Sequence, residues 1–163
     1  MKNIKLTLLT LLLLSVFTIC ARAENATITK NENVNTKRNF AIGLGYPYGA
    51  IKYSRQAIAV EAKGAFGSSI QLYAGRIYWN FINSQPVRLF TGIEGGYINL
   101  DGVYDLNGKG WEASAFLGIE AFVATNFSVS FDFAPTYIEL ESNSTMVNGL
   151  EYVINLAVYL YFY

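Results

Sequence analysis

The chain has 163 residues, with 12 basic and 12 acidic side chains, one cysteine and no histidine. Balanced charge leaves no electrostatic footprint for nucleic acid, and a lone Cys20 cannot build a disulfide framework. Without histidine, triads that use it as base and two-histidine zinc sites are unavailable.

Met1 to Ala23 reads as a secretory signal peptide. Lys2 and Lys5 precede an apolar run from Leu6 to Cys20, and Ala21-Arg22-Ala23 is an A-x-A cleavage site. The run is shorter than the roughly 20 residues of a membrane-spanning helix. The mature chain is expected to begin at Glu24, with about 140 residues, enough for one domain. It would then contain no cysteine. Residues 24–39 are polar and rich in Asn, and are expected to form a mobile leader.

From Phe40 to Tyr163 the pattern is strands and turns. Eight strands are predicted. They are Phe40 to Tyr46, Tyr48 to Ser54, Ala57 to Phe66, Ser69 to Ile82, Val87 to Leu100, Trp111 to Val123, Phe127 to Glu141 and Leu150 to Phe162. The first two are short against the roughly 9–11 residues of a membrane strand. Asp101 to Gly110 and Ser142 to Gly149 read as longer, polar external loops, whereas Ser54 to Gln56, Asn83 to Pro86 and Ala124 to Asn126 read as tight turns. The connections near Pro47 and Gly67-Ser68 are also short.

Side chains alternate along these strands with period two. In the sixth strand Trp111, Ala113, Ala115, Leu117, Ile119, Ala121 and Val123 oppose Glu112, Ser114, Gly118 and Glu120. In the seventh, Phe127, Val129, Phe131, Phe133 and Tyr137 oppose Ser128, Ser130, Asp132 and Thr136. The last stretch is apolar at every even position from Leu150 to Phe162. A soluble sandwich or lipocalin-like barrel would show the same alternation with its apolar face inward. Aromatic placement favours a membrane barrel. Tyr97, Trp111 and Tyr137 fall near one end of their strands, and Trp79, Phe81, Phe127 and Phe162 near the other, as two interfacial belts. Phe127 and Tyr137 would stand about 25 Å apart in height, at about 3.3 Å per residue and roughly 40° of tilt. The fold expected is all-β, an eight-stranded antiparallel up-and-down transmembrane barrel.

One pentapeptide is used twice. Phe90-Thr91-Gly92-Ile93-Glu94 recurs as Phe116-Leu117-Gly118-Ile119-Glu120 on the next strand. A hairpin centred near Asp105 would set Glu94 against Phe116, Gly92 against Gly118 and Phe90 against Glu120. The paired glycines would leave room for Arg76 and Arg88. Parity then gathers Arg76, Arg88, Glu94, Glu120 and Asp132 inside the barrel as one ion-pair network, since a lumenal carboxylate needs a partner. Lys63 and Glu61 are a second candidate group.

No catalytic set is expected. Glu94 and Glu120 have the residue types of a glycosidase pair, but an eight-stranded lumen is about filled by its own side chains. Asp101, Asp105 and Asn107-Gly108 miss the calcium-loop pattern at Val103, so no metal or cofactor is expected.

The signal peptide, the alternating strands and the aromatic C-terminus resemble small bacterial outer-membrane barrels of the OmpA/OmpX type. The resemblance implies location in the bacterial outer membrane, lipid as the surrounding partner, and recognition by the barrel-assembly machinery. In that family the terminal aromatic is part of the assembly signal, here Tyr159, Tyr161, Phe162 and Tyr163. It also implies structural, adhesion or surface-interaction roles through external loops, and a monomer. A narrow channel or binding barrel for a small apolar ligand is the other reading. Conductance would separate these two.

Overall fold

The computed structural model describes residues 39–66, 70–84, 86–103, 106–142 and 145–162. The predicted signal peptide, the leader up to Arg38 and Tyr163 lie outside them. The strands are β1 (Phe40–Gly45), β2 (Gly49–Arg55), β3 (Ile58–Phe66), β4 (Ile70–Ser84), β5 (Val87–Val103), β6 (Leu106–Ala124), β7 (Phe127–Ser142) and β8 (Thr145–Phe162). Each pairs antiparallel with its sequence neighbours, and β8 returns to β1 to close the barrel. Closure pairs β1 with β8, the two strands that would be the edges of an open sheet.

The strands are staggered as closure requires. Starting at Ala41, the paired neighbours run through Lys52, Glu61, Arg76, Glu94, Ser114 and Thr136 to Glu151 on β8. Yet Ala41 pairs directly with Tyr161, also on β8, ten residues further along. That stagger goes with a tilt of about 35–45° from the barrel axis.

Two expected loops are corrected. Asp101 to Gly110 and Ser142 to Gly149 are mostly strand. Leu100 pairs with Gly108, Ile98 with Gly110, and Val103 with Leu106. Glu141 pairs with Met146, and Ser142 with Thr145. Only positions 104–105 and 143–144 lie between the paired strands. The physical reason is that backbone hydrogen bonds continue a ladder whether or not its outer side chains are apolar. Polar composition there does not mark the end of the ladder.

Strand lengths are therefore very unequal. β1 has 6 residues and β8 has 18. With about 3.3 Å per residue and roughly 40° of tilt, β1 climbs about 15 Å and β8 about 45 Å. The wall is low on the β1–β2 side and rises into a tall sheet of β5 to β8.

Polarity is inverted relative to a water-soluble barrel. Ile51, Ile77, Ile93, Leu117, Ile154 and Leu160 are exposed on the outer wall. Lys52, Glu61, Arg76, Glu94, Glu120 and Asp132 are buried inside. The outer aromatics form contiguous rows. Tyr73 pairs with Tyr97, Tyr97 with Trp111, and the Trp111 and Tyr137 rings lie 5.4 Å apart. At the other end Phe40 and Phe162 are 6.2 Å apart, as are Trp79 and Phe81, with the outward Phe127 at the foot of β7. Phe81 occupies an irregularity between Asn80 and Ile82.

Candidate functional site

The interior is the chemically distinctive part of the barrel, and it holds the residues that parity assigned to it. Arg76 on β4 lies at its centre. Its Nε reaches the Glu94 carboxylate on β5, while Nη1 and Nη2 donate to the two oxygens of Asp132 on β7 at 2.9 and 3.2 Å. Glu94 also pairs with Lys63, and Asp132 accepts from Asn155 Nδ2 at 2.8 Å. These four charged side chains are at most 5% exposed, so water does not replace the partners they provide.

Glu120 is in a different group. It receives Lys52 Nζ at 3.2 Å, Ser128 Oγ at 2.6 Å and the Tyr161 hydroxyl at 2.6 Å. Arg88 Nη1 stands 3.8 Å from Glu120 and its Nε donates to Asn83. The expected single network of Arg76, Arg88, Glu94, Glu120 and Asp132 is thus two clusters. Arg76, Glu94 and Asp132 belong to one, and Arg88 and Glu120 to the other. What separates them is an aromatic layer. Tyr78, Phe90 and Phe116 meet edge to face, with centroids 5.0 to 6.1 Å apart. Arg76 caps that layer from one side, 4.4 Å from the Phe116 centroid, and Lys52 from the other, 4.6 Å from Tyr78.

The expected Lys63–Glu61 group also resolves differently. Lys63 goes to Glu94. Glu61 Oε2 accepts hydroxyls from Tyr78 and Tyr159, each at 2.8 Å. Parity places a residue on the inner row but does not choose its partner. The Tyr78 hydroxyl also accepts from Arg76 Nη1 at 3.3 Å, which joins Glu61 to the Arg76 cluster.

The repeated pentapeptide explains the aromatic layer, with a register shifted from the expected one. Phe90 faces Gly118, Gly92 faces Phe116, and Glu94 faces Ser114, while Arg88 faces Glu120. The hairpin is centred one position earlier than expected, so each partner moves by two. Each phenylalanine lies over the glycine of the other copy. A Cβ at Gly92 would overlap Phe116, and one at Gly118 would overlap Phe90. The glycines therefore house the phenylalanine rings, not the arginines. This is the close approach for which a strand tolerates glycine.

The predicted assembly residues divide by parity. Tyr159 and Tyr161 point inward, and their hydroxyls serve Glu61 and Glu120. Phe162 points outward against Phe40. The sequence reading missed Lys52, Tyr78, Ser128 and Asn155 as members of the interior network. For Lys52 the signal was present, since it alternates with the outward Ile51 and Tyr53.

The middle of the lumen is filled by side chains. Phe90 and Glu120 are completely buried, and Tyr78 and Lys52 are nearly so. Among the described residues, no group of three or more His, Cys, Asp or Glu side chains is placed to hold a metal ion.

No protein-family model matches the chain, and no curated protein matches it. Among solved structures, the crystal structure of Neisserial surface protein A is similar, with a TM-score of 0.53 and 17% sequence identity. The match covers 76% of this chain and 92% of that one. At that identity the likeness is one of fold, an eight-stranded closed barrel, and it does not single out the OmpA/OmpX type.

Proposed function

We propose that the mature chain is an integral outer-membrane β-barrel of the bacterial envelope, non-enzymatic and sealed, that acts through its external hairpins. The observation that supports it best is the inverted polarity. Isoleucine and leucine cover the outside, and paired charges fill the inside. In water that outer wall would be a large apolar patch of the kind soluble proteins avoid. In a bilayer it is the expected surface, with aromatic rows at two levels.

The filled interior favours a structural or surface-interaction role over a conduit. A solute would have to displace the Tyr78–Phe90–Phe116 layer and both charge clusters around it. The height of the β5–β8 sheet carries its two hairpins well above the aromatic row at Trp111 and Tyr137. Those hairpins are the natural contact surface.

Two measurements test the reading. Carbonate and urea extraction of cell envelopes should leave the protein in the membrane fraction. In planar bilayers the purified barrel should give no discrete conductance steps. Recovery as a soluble periplasmic protein would overturn the membrane assignment, and stepwise conductance would overturn the sealed lumen.

A further inference from the structure

Closure of this barrel is partial in one respect. β1 pairs with β8 only from Ala157 to Phe162. On its other side β8 pairs with β7 from Thr145 to Leu160. Among the described residues, the stretch Thr145–Leu156 therefore has no ladder on its β1-facing side. That edge is twelve residues long, twice the length of β1.

Its position makes the vacancy expensive. Phe40, the foot of β1, stands in the lower aromatic row against Phe162. From there β1 rises roughly 15 Å, short of the roughly 25 Å apolar band. Leu150 pairs with Tyr137 of the upper row. So the edge from about Tyr152 to Leu156 lies at hydrocarbon depth, and Thr145 to Glu151 lies above it. At that depth neither water nor an acyl chain satisfies backbone N–H and C=O groups. The edge carries only one of the devices that protect exposed strands, an inward-pointing charge. It has no Lys, no Pro and no bulge, and its one charge is Glu151.

These facts select the occupant. It must present a row of backbone donors and acceptors, which excludes lipid tails. It cannot be β8 of a second copy. A two-fold axis that keeps both copies the same way up leaves their β8 strands crossing at about twice the tilt, roughly 80°, and no ladder forms at that angle. Its outer side chains must continue the apolar row of Leu150, Tyr152, Ile154 and Leu156. Its inner side chains must meet Glu151, which is exposed and has no ion pair among the described residues.

We propose that Thr145–Leu156 accepts an extended strand from a partner protein, apolar on the lipid-facing row and basic opposite Glu151. Strand addition supplies affinity through the main chain, and alternate side chains supply selectivity. The proposal rests on the membrane reading above. Its test uses the folded barrel, so a negative result leaves the extraction experiment to judge that reading separately.

The full mature barrel would be placed in phospholipid nanodiscs and followed by amide hydrogen exchange. The probe is a synthetic peptide as long as the edge, alternating isoleucine and threonine, with one central lysine. A twin peptide carries glutamate instead. The lysine peptide should slow exchange across 145–156 by about tenfold or more, with little change in β6. The glutamate twin should protect less. Glu151→Lys should reverse that preference. No protection by the lysine peptide would overturn the proposal. So would edge amides already as slow as those of β6 without peptide, since the edge would then be satisfied internally. Equal protection by both peptides in the unmodified protein would also overturn it, whether or not the Glu151→Lys chain folds.

Discussion

Truncating Arg76 is the sharpest test of what holds the lumen together. Its guanidinium serves two carboxylates at once, Glu94 through Nε and Asp132 through both Nη atoms. Arg76→Ala leaves Glu94 with Lys63 but leaves Asp132 with only the neutral amide of Asn155. Breaking a buried pair by removing one partner costs about 3–5 kcal/mol, mostly because the surviving charge is stranded. Asp132 is the stranded charge here, so Arg76→Ala should fall within that range. Lys63→Ala should cost less, about 1–3 kcal/mol, because Glu94 keeps Arg76. The assay is urea unfolding of the purified barrel in detergent, read by the fluorescence of Trp79 and Trp111 on the outer wall. The double change Arg76→Ala with Asp132→Ala should lose less than the sum of the singles, by about 0.5–3 kcal/mol. Additive losses would refute the coupling. A neutral Arg76→Ala would refute the premise that this part of the lumen is dry.

Three further outcomes follow from particular contacts. Gly118→Ala should destabilise by about 1–3 kcal/mol through overpacking on Phe90, and Phe90→Leu in the same chain should recover part of that loss; unfolding midpoints of the three variants check it. Tyr161→Phe removes the hydroxyl that donates to Glu120 and should cost about 0.5–1.5 kcal/mol, because Lys52 and Ser128 remain; the same urea titration reads it. An epitope inserted between residues 104 and 105 or between 143 and 144 should be tolerated and detected by antibody on intact cells. The same insertion at Gly108 or Thr145, which pair within the ladder, should lower the yield of folded barrel.

The strands were legible because period-two alternation is local. Each of the eight could be read from its own residues, and β7 came within one residue of its limits, Phe127–Ser142. The misreadings share a cause. Leu106–Gly110 and Thr145–Gly149 are polar or glycine-containing, so their composition reads as loop although they are strand. Under the proposed membrane placement, composition and structure agree inside the hydrocarbon because lipid demands an apolar row. Beyond it the ladder continues on backbone hydrogen bonds alone, and side-chain polarity no longer reports on it.

Partner choice in the lumen was less legible for a geometric reason. Facing parity is a property of one strand, whereas a pair across the lumen depends on the stagger of the whole barrel. Lys52 sits directly opposite Glu61 on the neighbouring strand, yet its ammonium goes to Glu120, 68 residues away. The stagger of ten residues tilts every strand, so residues at equal height are not residues in register. Side chains reaching inward meet others at their own height. Glu61, left without Lys52, turns instead to the hydroxyls of Tyr78 and Tyr159. Those tyrosines then orient toward the lumen axis, where Lys52 lies over both rings, 4.6 and 4.7 Å from their centroids. The cation that looked available to Glu61 is thus held between two aromatic faces and a different carboxylate. Lys52→Ala should therefore weaken the environment of Glu120 and the aromatic layer together, while Lys52→Met, which keeps the stem and loses the charge, separates the two. If the layer depends on the charge, Met should be no better than Ala in the urea titration. If packing of the stem dominates, Met should recover most of the loss, and the ion pair with Glu120 would be of minor weight.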